Sequence, residues 1–132
     1  MSRGFVVLAG IFGLLAVAFG AFGAHGLEGM LGQLDDGAER AAWWDTATRY
    51  HLAHAVALGL VAWLCSRERG ARAAAVAGWC FVAGVLLFSG SLYAMTLTGV
   101  RALGMVTPVG GLLLLAGWAA IIVSGCGQAR NP

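Results

Sequence analysis

Four apolar stretches, at about 4–24, 46–65, 73–97 and 108–126, take up most of this 132-residue chain and leave little polar sequence between them. A helix of about 20 apolar residues rises about 30 Å, the thickness of a bilayer's hydrocarbon core. The pattern predicts an all-α fold: a single membrane domain over 1–132, built as a four-transmembrane-helix bundle without a separate soluble unit. Charged residues make up 11% of the chain and hydrophobic ones 60%, whereas soluble domains carry about 25% charged residues. A soluble fold could not cover that much apolar surface. The net charge of +2 is small and scattered, so no nucleic-acid partner is expected. Membrane lipid is.

The first stretch follows Arg3 and ends in Ala21-Phe22-Gly23-Ala24, as a cleaved secretory signal would. Its apolar length is about twice that of a signal's hydrophobic region, so a retained helix is expected. The segment Glu28 to Asp45 then holds five of the six acidic residues. Within it Asp36-Gly37-Ala38-Glu39 has capping-box spacing, which predicts an interfacial helix start over about 37–45. Trp43 and Trp44 would sit at headgroup level, and the helix would descend as Tyr50 to Cys65. A basic turn, Ser66 to Arg72, leads to the third stretch. Thr107 and Pro108 open the fourth as a cap and a first helical position.

All eight basic residues are arginines. With four crossings, Arg3, Arg67, Arg69, Arg72 and Arg130 share one side, against Arg40, Arg49 and Arg101 on the other. The excess of positive charge predicts that the N- and C-termini are cytoplasmic. Cys65, Cys80 and Cys126 then fall in the cytoplasmic half, where thiols stay reduced, and read as small apolar residues. Ala16, Gly20 and Ala24, and likewise Gly117 and Gly125, repeat in steps of four, the pattern that lets membrane helices approach closely. Packing within the bundle is the expected use, and a homo-oligomer contact the alternative.

The polar side chains inside the stretches are few. His25 ends the first. His51 and His54 lie a turn inside the second, on one helix face with Tyr50. Ser89, Ser91, Tyr93 and Thr96 occupy the latter half of the third, and Thr107 opens the fourth. In the four-span topology all lie toward the outer leaflet. Such groups need partners inside a bilayer, and ionisable ones mark a candidate site. The first reading is structural: interhelical His, Ser, Thr and Tyr hydrogen bonds, each worth about 0.6 kcal/mol. The second is a hydrated pocket or permeation site, in which histidines would titrate near neutral pH. The third is a zinc or copper site on His25, His51 and His54, should the first two helices pack side by side. Arg49 and Arg101 read as snorkelling anchors, or otherwise as a positive rim to such a pocket.

Catalysis finds little footing. No paired intramembrane carboxylate, Gly-x-Ser-x-Gly elbow or His-Glu-x-x-His is present, and no cofactor is expected. The halves of the chain echo one another, Phe19 to Gly23 against Phe88 to Tyr93, each followed by a threonine-opened helix at Thr46 or Thr107. A parallel repeat would suit a small transporter, but matching broken helices and shared charged positions are missing.

Several motifs occur in a distinctive order: Gly20-Ala21-Phe22-Gly23-Ala24-His25-Gly26-Leu27; Trp44-Asp45-Thr46-Ala47 with Tyr50-His51 and His54-Ala55; Phe88-Ser89-Gly90-Ser91-Leu92-Tyr93; and Leu103-Gly104, Thr107-Pro108, Gly110-Gly111 and Gly117-Trp118. Together they resemble the YgdD/YwdK-like small membrane proteins, a family catalogued as a domain of unknown function. The resemblance implies a four-span protein of the bacterial inner membrane and brings no catalytic residues. The expected function is non-catalytic, structural or ligand-binding, with a polar cluster of His25, Tyr50, His51, His54, Ser89, Ser91, Tyr93 and Thr107. The alternative is a small carrier or channel using that cluster.

Overall fold

The computed structural model describes residues 1–67 and 70–128, the last two as backbone. Arg69 and Arg130, counted in the charge asymmetry above, lie outside the described residues. The elements are α1 (Ser2–His25), the short α2 (Leu27–Leu31), α3 (Gly37–Cys65), α4 (Ala71–Thr98), a 3-10 turn at Arg101–Met105, and α5 (Thr107–Gln128). Every regular element among the described residues is helical, as the apolar runs predict.

The expected count of four membrane spans does not hold. Among the described residues, three segments are long and apolar enough to cross a bilayer: Ser2–His25, Ala71–Thr98 and Arg101–Cys126. The remaining long helix, α3, has 29 residues but too mixed a composition. Glu39, Arg40, Asp45 and Arg49 charge its first half, and His51 and His54 follow. Its uninterrupted apolar run, Ala55 to Cys65, is 11 residues, which rises about 16 Å against the roughly 30 Å of a hydrocarbon core. The side assigned to the termini depended on four crossings and falls with that count. So do the outer-leaflet position of the polar residues and the cytoplasmic half assigned to the cysteines. Positions are therefore given by bundle end: an acidic end, where α1 and α4 finish and α3 and α5 begin, and a terminal end opposite.

α3 and α4 form the central pair, with α1 laid against α3 and α5 against α4. Leu58, Val61, Ala77 and Phe81 are fully buried between them, joined by Phe5 and Phe12 from α1 and Leu114 from α5. The outer helices turn Leu14, Val17, Leu112, Leu115 and Ile122 outward. Lipid tails are as apolar as leucine, so these faces gain little by packing, and close approach and hydrogen bonds must hold the helices instead. Gly110 shows the close approach: a Cβ there would be driven into the backbone nitrogen and Cα of Phe88. The small-residue steps serve packing only in part. Ala16 is buried and Gly117 lies under Phe81, while Gly20 and Gly125 face open space.

At the acidic end α3 starts at Gly37, but the capping box does not form. The Asp36 carboxylate accepts from Arg40 Nε at 2.9 Å, and Glu39 accepts a two-pronged bond from Arg101 at 3.1 and 2.6 Å. The nearby arginine charges outcompete the helix amides for both carboxylates. α4 ends on Gly99 at φ 73°, a left-handed cap that favours glycine. The Arg40 guanidinium fills the space beside that glycine and donates to the Thr96 carbonyl at 3.4 Å. Its positive charge complements the negative end of the α4 dipole.

Gly110→Ala is expected to overpack the α4–α5 contact and destabilise the bundle by about 1–3 kcal/mol, read as a lower melting temperature in detergent by circular dichroism. Gly90→Ala, which meets nothing within 4 Å, should leave melting unchanged or slightly raised.

Candidate functional site

α3 is the helix through which the polar side chains connect. His51 is 5% exposed, and its Nδ1 lies 3.2 Å from the Tyr93 hydroxyl of α4. Phe12 and Phe19 of α1 stand at ring distances of 5.5 and 6.1 Å from the imidazole. The Tyr93 ring packs against Phe19 at 4.9 Å and Trp44 at 4.6 Å. Trp44 is buried, and its indole N–H donates to the Phe19 carbonyl at 2.8 Å, tying α3 to α1.

His54, one turn on, has both ring nitrogens engaged. Trp118 Nε1 of α5 lies 3.1 Å from His54 Nε2. An indole nitrogen can only donate, so Nε2 is the acceptor and the proton resides on Nδ1. That Nδ1–H donates to the Tyr50 carbonyl at 2.7 Å. No lone pair of this ring is left for a metal.

The hydroxyls are used pairwise. Ser89 Oγ donates to the Ala47 carbonyl of α3 at 2.8 Å. Ser91 Oγ and Thr107 Oγ1 lie 2.7 Å apart and join α4 to α5. Thr96 Oγ1 shares its proton between the carbonyls of Leu92 at 2.9 Å and Arg40 at 3.0 Å. At the terminal end Ser124 Oγ donates to the Gly70 carbonyl at 3.0 Å. Tyr50 differs: it is 45% exposed, its ring stacks on His54 at an interplanar angle of 15°, and its hydroxyl has no hydrogen-bond partner among the described residues.

His25 does not join this set. α1 and α3 do pack side by side, but His51 faces Phe12 and Phe19, and His25 lies six residues past Phe19, about 9 Å further along the helix. It is exposed at the end of α1. No group of three His, Cys, Asp or Glu side chains that could hold a metal ion exists among the described residues. Both arginines pair with carboxylates: Arg101 with Glu39, where it also lies 5.5 Å over the Trp43 ring, and Arg49 with Asp45 at 2.7 Å in the open.

Two openings border the set. A cavity of about 150 Å³ lies between α1 and α4, with His51 and Tyr93 on its wall. A groove of about 590 Å³ runs between α3 and α5, lined by Tyr50, His54, Phe88 and Trp118 among others. Trp118 and Arg40 were missed as connecting residues. For Trp118 the signal was available, since an indole N–H in an apolar helix needs an acceptor. Arg40 gave none, because its partner on α4 lies 56 positions away.

Residues 19–111 match a family model described as "Protein of unknown function (DUF423)". The chain belongs to this family. Among its relatives, the UPF0382 membrane protein YwdK of Bacillus subtilis is 42% identical over 120 residues, covering 91% of this chain and 94% of the relative. The UPF0382 inner membrane protein YgdD of Escherichia coli is 38% identical over 129 residues, covering 92% and 88%. A UPF0382 membrane protein of Haemophilus influenzae is 35% identical, covering 92% of each chain. No solved structure matches. The family and the apolar helices agree in making this a multi-pass protein of the bacterial inner membrane, and the matched span contains Tyr50, His51, His54, Ser89, Ser91, Tyr93 and Thr107.

A double-mutant cycle of His54→Phe and Trp118→Phe should give a coupling energy of about 0.6 kcal/mol, and no more than about 1.7, in reversible unfolding from mixed micelles. A coupling near zero would mean that the two rings merely touch.

Proposed function

We propose that this chain is a non-catalytic structural component of the inner membrane, in which the polar side chains fasten the helices to one another and do not line a wet path. The observation that carries this reading is the pairing of the polar groups across helix boundaries. His51 with Tyr93, Ser89 with Ala47 and Thr96 with Arg40 join α3 to α4. Ser91 with Thr107 joins α4 to α5, and His54 with Trp118 joins α3 to α5. A carrier site of the kind found in small transporters uses broken helices whose unpaired backbone groups face the substrate. Here α1, α3, α4 and α5 each run as continuous helix. The hydroxyls of Ser89 and Ser91 are bonded to a carbonyl and to Thr107, an arrangement that supplies no activated nucleophile.

Proteoliposomes loaded with a pH-sensitive dye test this reading against the carrier. Proton flux should match that of protein-free vesicles across pH 5.5–8, a range of about one unit or more on either side of the ordinary histidine pKa. A flux above that level, lost in His51→Phe, would sink the structural reading. On the same reading Tyr93→Phe should cost about 1 kcal/mol of stability by removing the partner of a buried ring nitrogen, measured by thermal melting of the purified protein.

A further inference from the structure

We infer that the groove between α3 and α5 binds a neutral, membrane-dissolved ring lipid that carries a carbonyl acceptor, of the prenylated quinone class. This goes beyond the structural role and rests on it in one respect: the His54–Trp118 bond forms part of the groove wall. The volume, about 590 Å³, falls in the range of roughly 300–1,000 Å³ typical of sites for small organic molecules. Four features select the occupant.

The walls are aromatic. Tyr50 and His54 lie nearly parallel, Phe88 stands 4.5 Å from Tyr50, and Trp118 closes the set near His54 at 6.0 Å. These rings pack on one another into a continuous aromatic wall, against which a flat ring lying in the groove makes favourable contact. The hydrogen-bonding capacity is narrow, because Trp118 N–H and both nitrogens of His54 are already engaged. The Tyr50 hydroxyl remains, and as a donor it suits a carbonyl oxygen. No residue lining the groove is charged, and the adjacent Arg49 is held by Asp45. A phosphate or carboxylate headgroup would enter without a counter-charge, at high desolvation cost. Finally, the rim on α5 is formed by Leu112 and Leu115, 66% and 67% exposed, so an apolar tail leaves along α5 toward lipid.

Gly111 supplies a clean test. It lines the groove, and an added Cβ there stands 3.7 Å from Phe88, an ordinary contact, so a longer side chain fills the groove without displacing the helices. The protein is placed in phospholipid nanodiscs and titrated with a benzoquinone bearing one prenyl unit, read by quenching of tryptophan emission. Wild type should quench saturably. Tyr50→Phe should weaken binding by roughly three- to tenfold, the worth of one hydrogen bond. Gly111→Leu should abolish the saturable component while its melting temperature stays within that of wild type. Quenching that rises linearly with quinone, or saturable quenching that Gly111→Leu leaves intact, would overturn the proposal. So would a Gly111→Leu protein that changes oligomeric mass while wild type binds no quinone, since the groove would then be a contact between copies. Failure on these terms leaves the helix-fastening role standing, because that role is read from the melting of the His54, Trp118 and Tyr93 variants.

Discussion

A hydrogen-bonding group in hydrocarbon has no water to turn to, and in this chain that constraint decides which helices touch. Lipid competes on equal terms for every leucine face, so apolar contact alone would leave the helices free to separate. The exchange of Ser89 with the Ala47 carbonyl, of His51 with Tyr93 and of Thr96 with Arg40 sets α3 against α4 at successive heights. Around that pair the outer helices are added with fewer bonds: α1 through Trp44 and the Phe19 carbonyl, α5 through Thr107, Trp118 and Ser124. Each of these bonds satisfies a polar group inside the bundle and fixes a register in the same act.

The acidic end obeys the same physics where water is within reach. Asp36, Glu39, Arg40 and Arg101 form one connected set in which Arg40 also closes the C-terminus of α4. Exposed ion pairs contribute little singly. Arg40 gains more than an ordinary surface arginine, because it meets a carboxylate on one side and a helix dipole on the other.

Helical class was legible in the sequence, because long apolar runs admit no other backbone in lipid. The span count was not. Reading Tyr50 to Cys65 as a crossing helix credited α3 with apolar length that His51 and His54 interrupt, and hydropathy along one helix does not reveal that its neighbours satisfy those rings. Individual polar residues were recognisable as a set, yet their pairing was hidden. Ser91 finds Thr107 16 positions away and Thr96 finds Arg40 56 away, distances over which local pattern carries no information. His25 fell into the set by residue type and out of it by helix length. The Asp36 capping signal marked the right boundary for a reason the structure replaces, since Arg40 takes the carboxylate that the helix amides would have used.

α5 is fastened to its neighbours near both ends, by Thr107 to Ser91 and by Ser124 to Gly70, and Gly110 brings its backbone directly against α4. A helix held in this way cannot swing outward as a rigid arm. The lining of the groove between α5 and α3 can still change through rotation of the half-exposed Tyr50 ring and of the leucines at the rim. Such rotations occur in picoseconds to nanoseconds, whereas helix displacement takes microseconds or longer. The shape of this face is therefore adjusted by rotamer choice, fast and local, with the backbone acting as a fixed frame.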